Sequence, residues 1–318
     1  MDEAVVKARK TALGIIHNIE TVITGKQKSI ELAVIGLISH GHLLIEDAPG
    51  VGKTILARSL ARSVNCSFKR IQFTPDMLPG DITGVSIYNK KTSEFQFRPG
   101  PIMANMVLAD EINRATPRVQ SALLECMEER QISVDGMTYR MPSPFHVLAT
   151  QNPIEFEGTF PLPETHLDRF LMRINLGYPS LEEEMEIMTR QQFIHPIEKI
   201  APVADCEDLL DLQEFVKKIY VDPNIERYIA MLVESTRQSP SIYLGASPRG
   251  SLAMYRTSQA RALLDGRDYV LPDDVKALAE PVLAHRLVLH SLDGSRDKSG
   301  RVQINEILAK VPVPGATP

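Results

Sequence analysis

Nine residues, Glu46-Asp47-Ala48-Pro49-Gly50-Val51-Gly52-Lys53-Thr54, carry the clearest chemistry in the sequence. An apolar run, His42-Leu43-Leu44-Ile45, precedes them, and Ile55-Leu56-Ala57-Arg58-Ser59-Leu60-Ala61 follows with the spacing of an amphipathic helix. Strand, glycine turn and helix together aim successive backbone N–H groups and a helix N-terminus into one concavity, where polyphosphate charge is stabilised. The segment Asp47, Ala48, Pro49, Gly50, Val51, Gly52, Lys53, Thr54 and Ile55 is therefore expected to bind a nucleotide, with Lys53 on the outer phosphates and the Thr54 hydroxyl on Mg²⁺. The strict pattern G-x-x-x-x-G-K-[ST] has glycine where this chain has Asp47. Asp tolerates turn conformations better than most residues, so a variant loop is expected.

A second group of chemical residues closes apolar strands. Met106-Val107-Leu108-Ala109 is too continuous to alternate, as in a strand buried on both faces of a parallel sheet, and it ends in Asp110-Glu111. Asp110 can hold Mg²⁺ while Glu111, beyond the metal, can orient or deprotonate the attacking water. Phe145-His146-Val147-Leu148-Ala149-Thr150 ends at Gln151-Asn152-Pro153, which puts Asn152 on the ligand side of such a sheet. There it can hold water or the terminal phosphate; an Asn-Pro turn is the plainer alternative. Asp168-Arg169 precedes a further apolar strand, and Arg249 sits in the first turn of a helix started by Ser247-Pro248. A cation there opposes the helix dipole and needs an anion, either a nucleotide phosphate from the facing domain or a surface carboxylate.

Positioning these groups requires a recognisable set of elements. Helical spacing runs from Ala4 to Ile23 and from Ser29 to Ile38, and Phe68 to Phe73 alternates like a strand. Hairpins are expected over residues 85–97 and, around Asp135-Gly136, over 132–141. Thr116-Pro117 reads as a helix start capped by Thr116. Beyond Gly177-Tyr178-Pro179 strand signals disappear. Ser180 and Glu183 make a capping box, Asp222-Pro223 starts another helix, and further helices fit residues 205–220, 272–290 (kinked at Pro281) and 305–311, with a mobile loop at 293–300. Two domains are expected, 1–178 with an αβα nucleotide-binding core and 179–318 as an all-helical lid.

Composition limits the function classes. The 318 residues are 43% hydrophobic and 24% charged, ordinary for a globular protein, with a net charge of −5 that gives no global reason to expect nucleic acid. No apolar run is long enough to span a membrane, and Met1-Asp2-Glu3 lacks a basic signal-peptide start, so a cytoplasmic location is expected. Cys66, Cys126 and Cys206 are far apart and odd in number, which suggests idle thiols rather than a disulfide framework or zinc site.

Pro-Gly-Val-Gly-Lys-Thr, Leu-Ala-Asp-Glu-Ile-Asn-Arg-Ala (108–115), Ala-Thr-Gln-Asn-Pro (149–153), Leu-Asp-Arg-Phe (167–170) and Ala-Ser-Pro-Arg-Gly (246–250) occur in the order that resembles the MoxR family of AAA+ ATPases, with Gln120-Ser121-Ala122-Leu123-Leu124-Glu125 between them. The resemblance covers nearly the whole chain. It implies an α/β phosphate-loop core plus helical lid, ATP and Mg²⁺ as ligands, Asp110 and Glu111 as the Walker B pair, Asn152 as sensor 1, Arg169 as arginine finger and Arg249 as sensor 2. The two hairpins look like the helix-2 insert and pre-sensor-1 hairpin, which face the pore in related rings. It further implies a ring, usually hexameric, that remodels or matures protein complexes, often beside a separate partner bearing a von Willebrand factor A domain.

Two other function classes compete. A nucleotide-gated scaffold would bind ATP and hydrolyse it slowly, which the intact Asp110-Glu111 pair argues against. A DNA translocase would use the hairpins to grip nucleic acid, yet the 132–141 hairpin carries Asp135 at its tip, has no basic cluster beyond Arg140, and the chain has no Trp for base stacking.

Overall fold

The structure, a computed structural model, describes residues 3–152, 158–193, 195–290 and 296–314. Two helices, α1 (Glu3–Glu20) and α2 (Gln27–Ile38), lead into β1 (Leu43–Glu46); after the glycine turn come α3 (Lys53–Ser63) and β2 (Phe68–Gln72). A short helix, α4 (Pro79–Thr83), opens the hairpin of β3 (Gly84–Asn89) and β4 (Glu94–Pro99), and the chain returns as β5 (Met106–Asp110). Then follow α5 (Pro117–Glu129), the hairpin of β6 (Gln131–Val134) and β7 (Met137–Arg140), β8 (His146–Gln151), the single turn α6 (Glu164–Leu167) and β9 (Met172–Ile174). The second half contains α7 (Leu181–Arg190), α8 (Cys206–Val216), α9 (Pro223–Gln238), β10 (Ile242–Leu244), α10 (Pro248–Leu264), α11 (Pro272–Leu283), β11 (Val288–Leu289) and α12 (Arg296–Lys310).

The central sheet has the order β2-β5-β8-β1-β9 and every pairing in it is parallel. Its middle strands β1 and β5 are buried along their whole length, which is why they read as continuous apolar runs rather than alternating ones. One face packs on α5 through Leu123, Leu124 and Met127. The other face carries α1, α2 and α3, and here Ile15, Ile30 and Leu60 belong to the same apolar cluster as Leu209, Met254 and Leu278 from the second half. The N-terminal helices thus cover the sheet and the lid helices together. Because the strands are parallel and β8 lies between β1 and β5, the glycine turn, Asp110 and Gln151 all emerge at one edge, the C-terminal ends of the strands.

Local chemistry explains most element boundaries. Ser180 accepts from the Glu183 N–H while Glu183 accepts from the Ser180 N–H, and Asp222 and Ser247 cap α9 and α10. Asp135 and Gly136 both have positive φ (51° and 79°), the turn that the right-handed twist of a two-residue hairpin requires. Several expectations need correction. Thr116 precedes Pro117 at the start of α5 but its side chain makes no capping hydrogen bond. The helix expected through His290 ends as α-helix at Leu283, after Pro281 has removed an N–H donor, and continues as a 3-10 turn over Ala284–Arg286. The second half also holds one short antiparallel pair, β10 with β11, among its helices. Of the loop expected at 293–300, residues 296–300 are helical and begin α12, while 293–295 fall outside the described residues, as does Pro153. Finally, Cys66 and Cys206 are not separate thiols: folding brings them to a Cα separation of 5.8 Å in a disulfide, and only Cys126 is free. A spacing of 140 residues carries no trace of that pairing in the sequence.

Candidate active site

The phosphate loop leaves β1 at Glu46 and enters α3 at Lys53. Gly50 and Gly52 have φ of 84° and 99°, a left-handed conformation that costs other L-residues energy, and Gly52 is the residue that starts α3. A Cβ at either position would meet nothing within 4 Å, so their glycines serve backbone conformation rather than space. Lys53 is buried and its Nζ donates to the Asp47 carbonyl at 2.8 Å, which holds the ammonium along the loop.

Asp47 behaves differently from the turn residue expected of it. It is not in the left-handed region, so this position makes no conformational demand for glycine. Its carboxylate instead accepts three backbone N–H groups: Ala48 at 3.0 Å, Leu176 at 2.6 Å and Gly177 at 2.7 Å. The last two lie just beyond β9, where the chain leaves the sheet for the second half. Asp47 therefore clamps the phosphate loop to that exit. Beneath it, Arg173 of β9 pairs with Glu46 of β1 at 2.8 Å, both largely shielded from water.

At the same edge, Asp110 and Glu111 are organised around Thr150. The Thr150 hydroxyl donates to Asp110 Oδ1 at 2.6 Å and accepts the Glu111 N–H at 2.8 Å. Glu111 takes a positive φ of 60°, which turns its side chain away from the strand line, and its carboxylate accepts from Gln72 Nε2 at 2.7 Å with Arg114 at 3.3 Å. The second oxygen of Asp110 accepts from Arg70 Nε at 2.9 Å and Nη2 at 2.6 Å. Asn152 is buried one residue past β8, its carbonyl accepting from Asn113 Nδ2 at 3.3 Å. The structure thus gathers Lys53, Thr54, Asp110, Glu111 and Asn152 at one sheet edge. The hydroxyl of Thr54 and the carboxylate of Asp110 are hard oxygen donors, which suits Mg²⁺. Among the described residues no cluster of three or more His, Cys, Asp and Glu suggests any other metal site.

Arg169 and Arg249 are elsewhere. Arg169 follows α6 just before β9, and the neighbouring Leu171 N–H donates to the His42 carbonyl at 2.8 Å ahead of β1, so this is the N-terminal edge of the sheet. Arg249, from α10, joins it there: Glu128 at the end of α5 takes Arg169 Nε on one oxygen at 3.2 Å and Arg249 Nη2 on the other. The surface carboxylate considered for Arg249 is therefore Glu128, and its partner across the cluster is Arg169. A cleft of about 270 Å³ opens beside these groups. Across the four residues of β1, about 13 Å at 3.3 Å per residue, it lies on the opposite side of the sheet from the chain's own phosphate loop.

Sequence reasoning missed the residues that hold this cluster. Arg286, in the 3-10 turn after α11, is buried; it pairs with Asp168 at 3.0 Å and donates to the Phe170 carbonyl at 2.8 Å. Burial pulls its pKa down to about 10, with Asp168 opposing, so it stays cationic at neutral pH. Ser247 also donates to Asp168, at 2.8 Å. Asp168 is thus a junction between the Arg169 segment and the second half of the chain. Nothing about Arg286, Glu128 or Gln72 marks them in the sequence, and Thr150 lies in the Ala-Thr-Gln-Asn-Pro motif without its role being visible there, since each acquires that role from a contact across tens of residues.

This division of charged groups between two sheet edges accompanies extensive similarity to known proteins. Residues 42–172 match the model of the ATPase family associated with various cellular activities, and residues 234–307 that of the AAA lid domain. The chaperone MoxR1 of Mycobacterium tuberculosis is 45% identical over 309 residues, covering 94% of this chain and 81% of that protein. The chain belongs to the MoxR family of AAA+ ATPases. An uncharacterized protein of Bacillus subtilis is 52% identical over 94% of this chain and 93% of its own, and a crystal structure of a candidate ATPase from Cytophaga hutchinsonii superposes with a TM-score of 0.89 at 38% identity, covering 98% and 97% of the two chains. The five-stranded sheet with flanking helices and helical lid is the fold of this family.

Proposed function

We propose that this chain binds ATP with Mg²⁺, hydrolyses it within a ring of identical subunits, and uses the cycle to remodel or mature protein complexes. The observation that carries the reading is the separation of Arg169 and Arg249 from the phosphate loop of the same chain. A subunit presenting one edge to its neighbour would bring these two arginines to the next nucleotide, beside the Lys53, Arg70 and Arg114 of that site.

The residues divide the work accordingly. The backbone N–H groups of the glycine turn and the start of α3 hold the phosphates, and Lys53 neutralises their outer charge. Thr54 and Asp110 would hold Mg²⁺, which when bound neutralises developing phosphate charge. Glu111, steered by Thr150 and Gln72, orients a water for in-line attack and takes its proton. Asn152 is placed to fix that water or the terminal phosphate. Arg169 and Arg249 of the adjacent copy stabilise charge on the transferring phosphoryl group, an effect of about 10³ to 10⁵ in rate for arginine fingers. The two hairpins, packed together through Phe97 stacked on Tyr139 at 4.1 Å, expose Tyr88, Phe95 and Met137 and suit contact with a protein client. Such a ring needs no membrane span, and among the described residues no helix is long and apolar enough to be one. A cytoplasmic setting and a separate adaptor with a von Willebrand factor A domain fit this role.

The deciding experiment mixes two inactive variants. Arg169→Ala retains ATP binding and loses hydrolysis; Lys53→Ala loses binding. Mixed rings contain interfaces with one intact loop and one intact arginine, so activity returns. Mixed assemblies shown to exchange subunits yet remaining inactive would refute the trans arrangement.

A further inference from the structure

Among the described residues, nothing covers the apolar face of the helix α7. None of its residues is buried, and Leu181, Met185 and Met188, spaced i, i+4, i+7 on one face, are 70%, 58% and 66% exposed. Phe193, just beyond, is 87% exposed. The helix is nonetheless fixed at both ends: Lys26 donates to the Tyr178 carbonyl at 2.8 Å and pairs with Glu183, and Arg190 donates to the Thr21 carbonyl at 3.3 Å. An apolar stripe on a helix tied at both ends marks a contact surface. Exposed Glu182 and Glu184 border it, and the basic residue of the helix, Arg190, is already paired with Glu186.

A surface of matching character lies on α10. Leu252 is 56% exposed and stands between Arg249 and Arg256 on one helical face, i+3 and i+7 from the first arginine. Beside it opens a cleft of about 560 Å³ lined also by Arg130 and Lys217. On the wall of this cleft burial, and after it Arg130, Lys217 and Arg256, push the pKa of His40 down to about 4 against the opposing charge of Glu214, which pairs with Lys217; Arg130 and Arg256 are the cations left to the cleft.

We propose that α7 of one copy docks on the Leu252 face of α10 of a second copy, its apolar stripe against Leu252 and its glutamates toward Arg256 and Arg130. Charge and polarity agree: an acidic helix with an apolar stripe meets a cleft that carries Arg130 and Arg256 beside the exposed Leu252. The two surfaces differ, so the contact is head-to-tail and propagates into a closed ring if the rotation permits. It is also continuous with the nucleotide site. The carboxylate of Asp47 binds the chain at Leu176 and Gly177, immediately before α7, while Leu252 is less than one turn from Arg249. One contact therefore brings the arginine pair of one subunit toward the phosphate loop of the next. Arg256, about 10 Å along α10 from Arg249 at 1.5 Å per residue, would bind α7 and leave the chemistry to the other two.

This inference rests on the ring reading, and its test separates the two. Met188→Cys and Leu252→Cys chains, each also carrying Glu111→Gln to retain ATP, are mixed and treated with a short bismaleimide, while light scattering reports assembly. The mixture should give an ATP-dependent covalent dimer that neither variant gives alone. Assemblies that form with ATP but yield no mixed cross-link overturn the α7 contact and leave the ring intact; Met188→Cys linking to itself indicates an α7–α7 contact and also overturns it. A chain that stays monomeric at every nucleotide condition overturns both readings. As a second measure, Arg256→Glu should raise the concentration needed for assembly about 10-fold or more while Arg256→Lys stays near wild type; equal behaviour of the two variants counts against charge pairing at this face.

Discussion

Replacing Asp47 by glycine would restore the strict phosphate-loop pattern, and the structure predicts that the restored pattern is the weaker protein. The carboxylate accepts two long-range backbone N–H groups, Leu176 at 2.6 Å and Gly177 at 2.7 Å. Hydrogen bonds to a charged group contribute roughly 1.5–3 kcal/mol each, and this site is only part-buried, so the lower end applies and the pair stabilises by about 2–4 kcal/mol. That is a substantial share of a total near 5–15 kcal/mol. With a midpoint shift of about 2–4 °C per kcal/mol for large domains, Asp47→Gly should melt about 4–16 °C lower. Asp47→Ala should match it, because both lose the same acceptor, and Asp47→Asn should fall between, keeping one neutral acceptor oxygen. The assay is thermal denaturation with and without nucleotide, alongside ATP titration. The nucleotide-bound forms should show a larger deficit than the free forms, since the loop that the clamp anchors is the one proposed to hold the phosphates. An Asp47→Gly chain melting within about 1 °C of wild type would refute the clamp and return the residue to the status of a tolerated turn variant.

Three further outcomes follow from the site. Lys53→Ala should abolish ATP binding in equilibrium dialysis while Glu111→Gln binds normally and does not turn over, because in the proposed mechanism Lys53 contacts ground-state phosphate and Glu111 acts on the water; if both bind like wild type, the loop is misassigned. Glu128→Gln releases Arg169 and Arg249 from a half-exposed ion pair, so stability should change by no more than about 1 kcal/mol while ring ATPase rises several-fold; a fall to the level of Arg169→Ala would mean that Glu128 aims the arginines rather than sequesters them. Stability should also decline below neutral pH. Burial pushes His146 down to about 4, and His42 well below its usual value, whereas unfolded imidazoles titrate near 6.5. The unfolded chain then binds more protons between those values, so stability is complete above about 6.5 and is lost as pH falls toward 4, by up to about 3 kcal/mol for His146. The slope of melting temperature against pH over this window should be smaller in His146→Gln, and an unchanged slope would exclude His146 as a source.

The sequence by itself determined the local parts of this protein. Phosphate-loop glycines, a carboxylate pair closing an apolar strand, capping residues at 180, 222 and 247, and Asp135-Gly136 each act through neighbours within a few positions, and such chemistry is written in consecutive residues. The strands β1, β5 and β8 could be read for the same reason, because burial on both faces leaves no polar alternation, whereas the partly exposed β2 was legible from its alternation. Where the chain must meet itself over long distances, the sequence was silent. That Asp47 binds the exit of β9, that Glu128 holds two arginines from separate elements, that Arg286 secures the Arg169 segment and that Cys66 reaches Cys206 are products of the sheet order and of α1, α2 and the lid helices sharing one core. The side of the sheet on which Arg249 stands was decided only there. A cation at a helix start requires an anion, but which anion it meets depends on how the lid packs, and packing of whole apolar faces leaves no signature at the arginine.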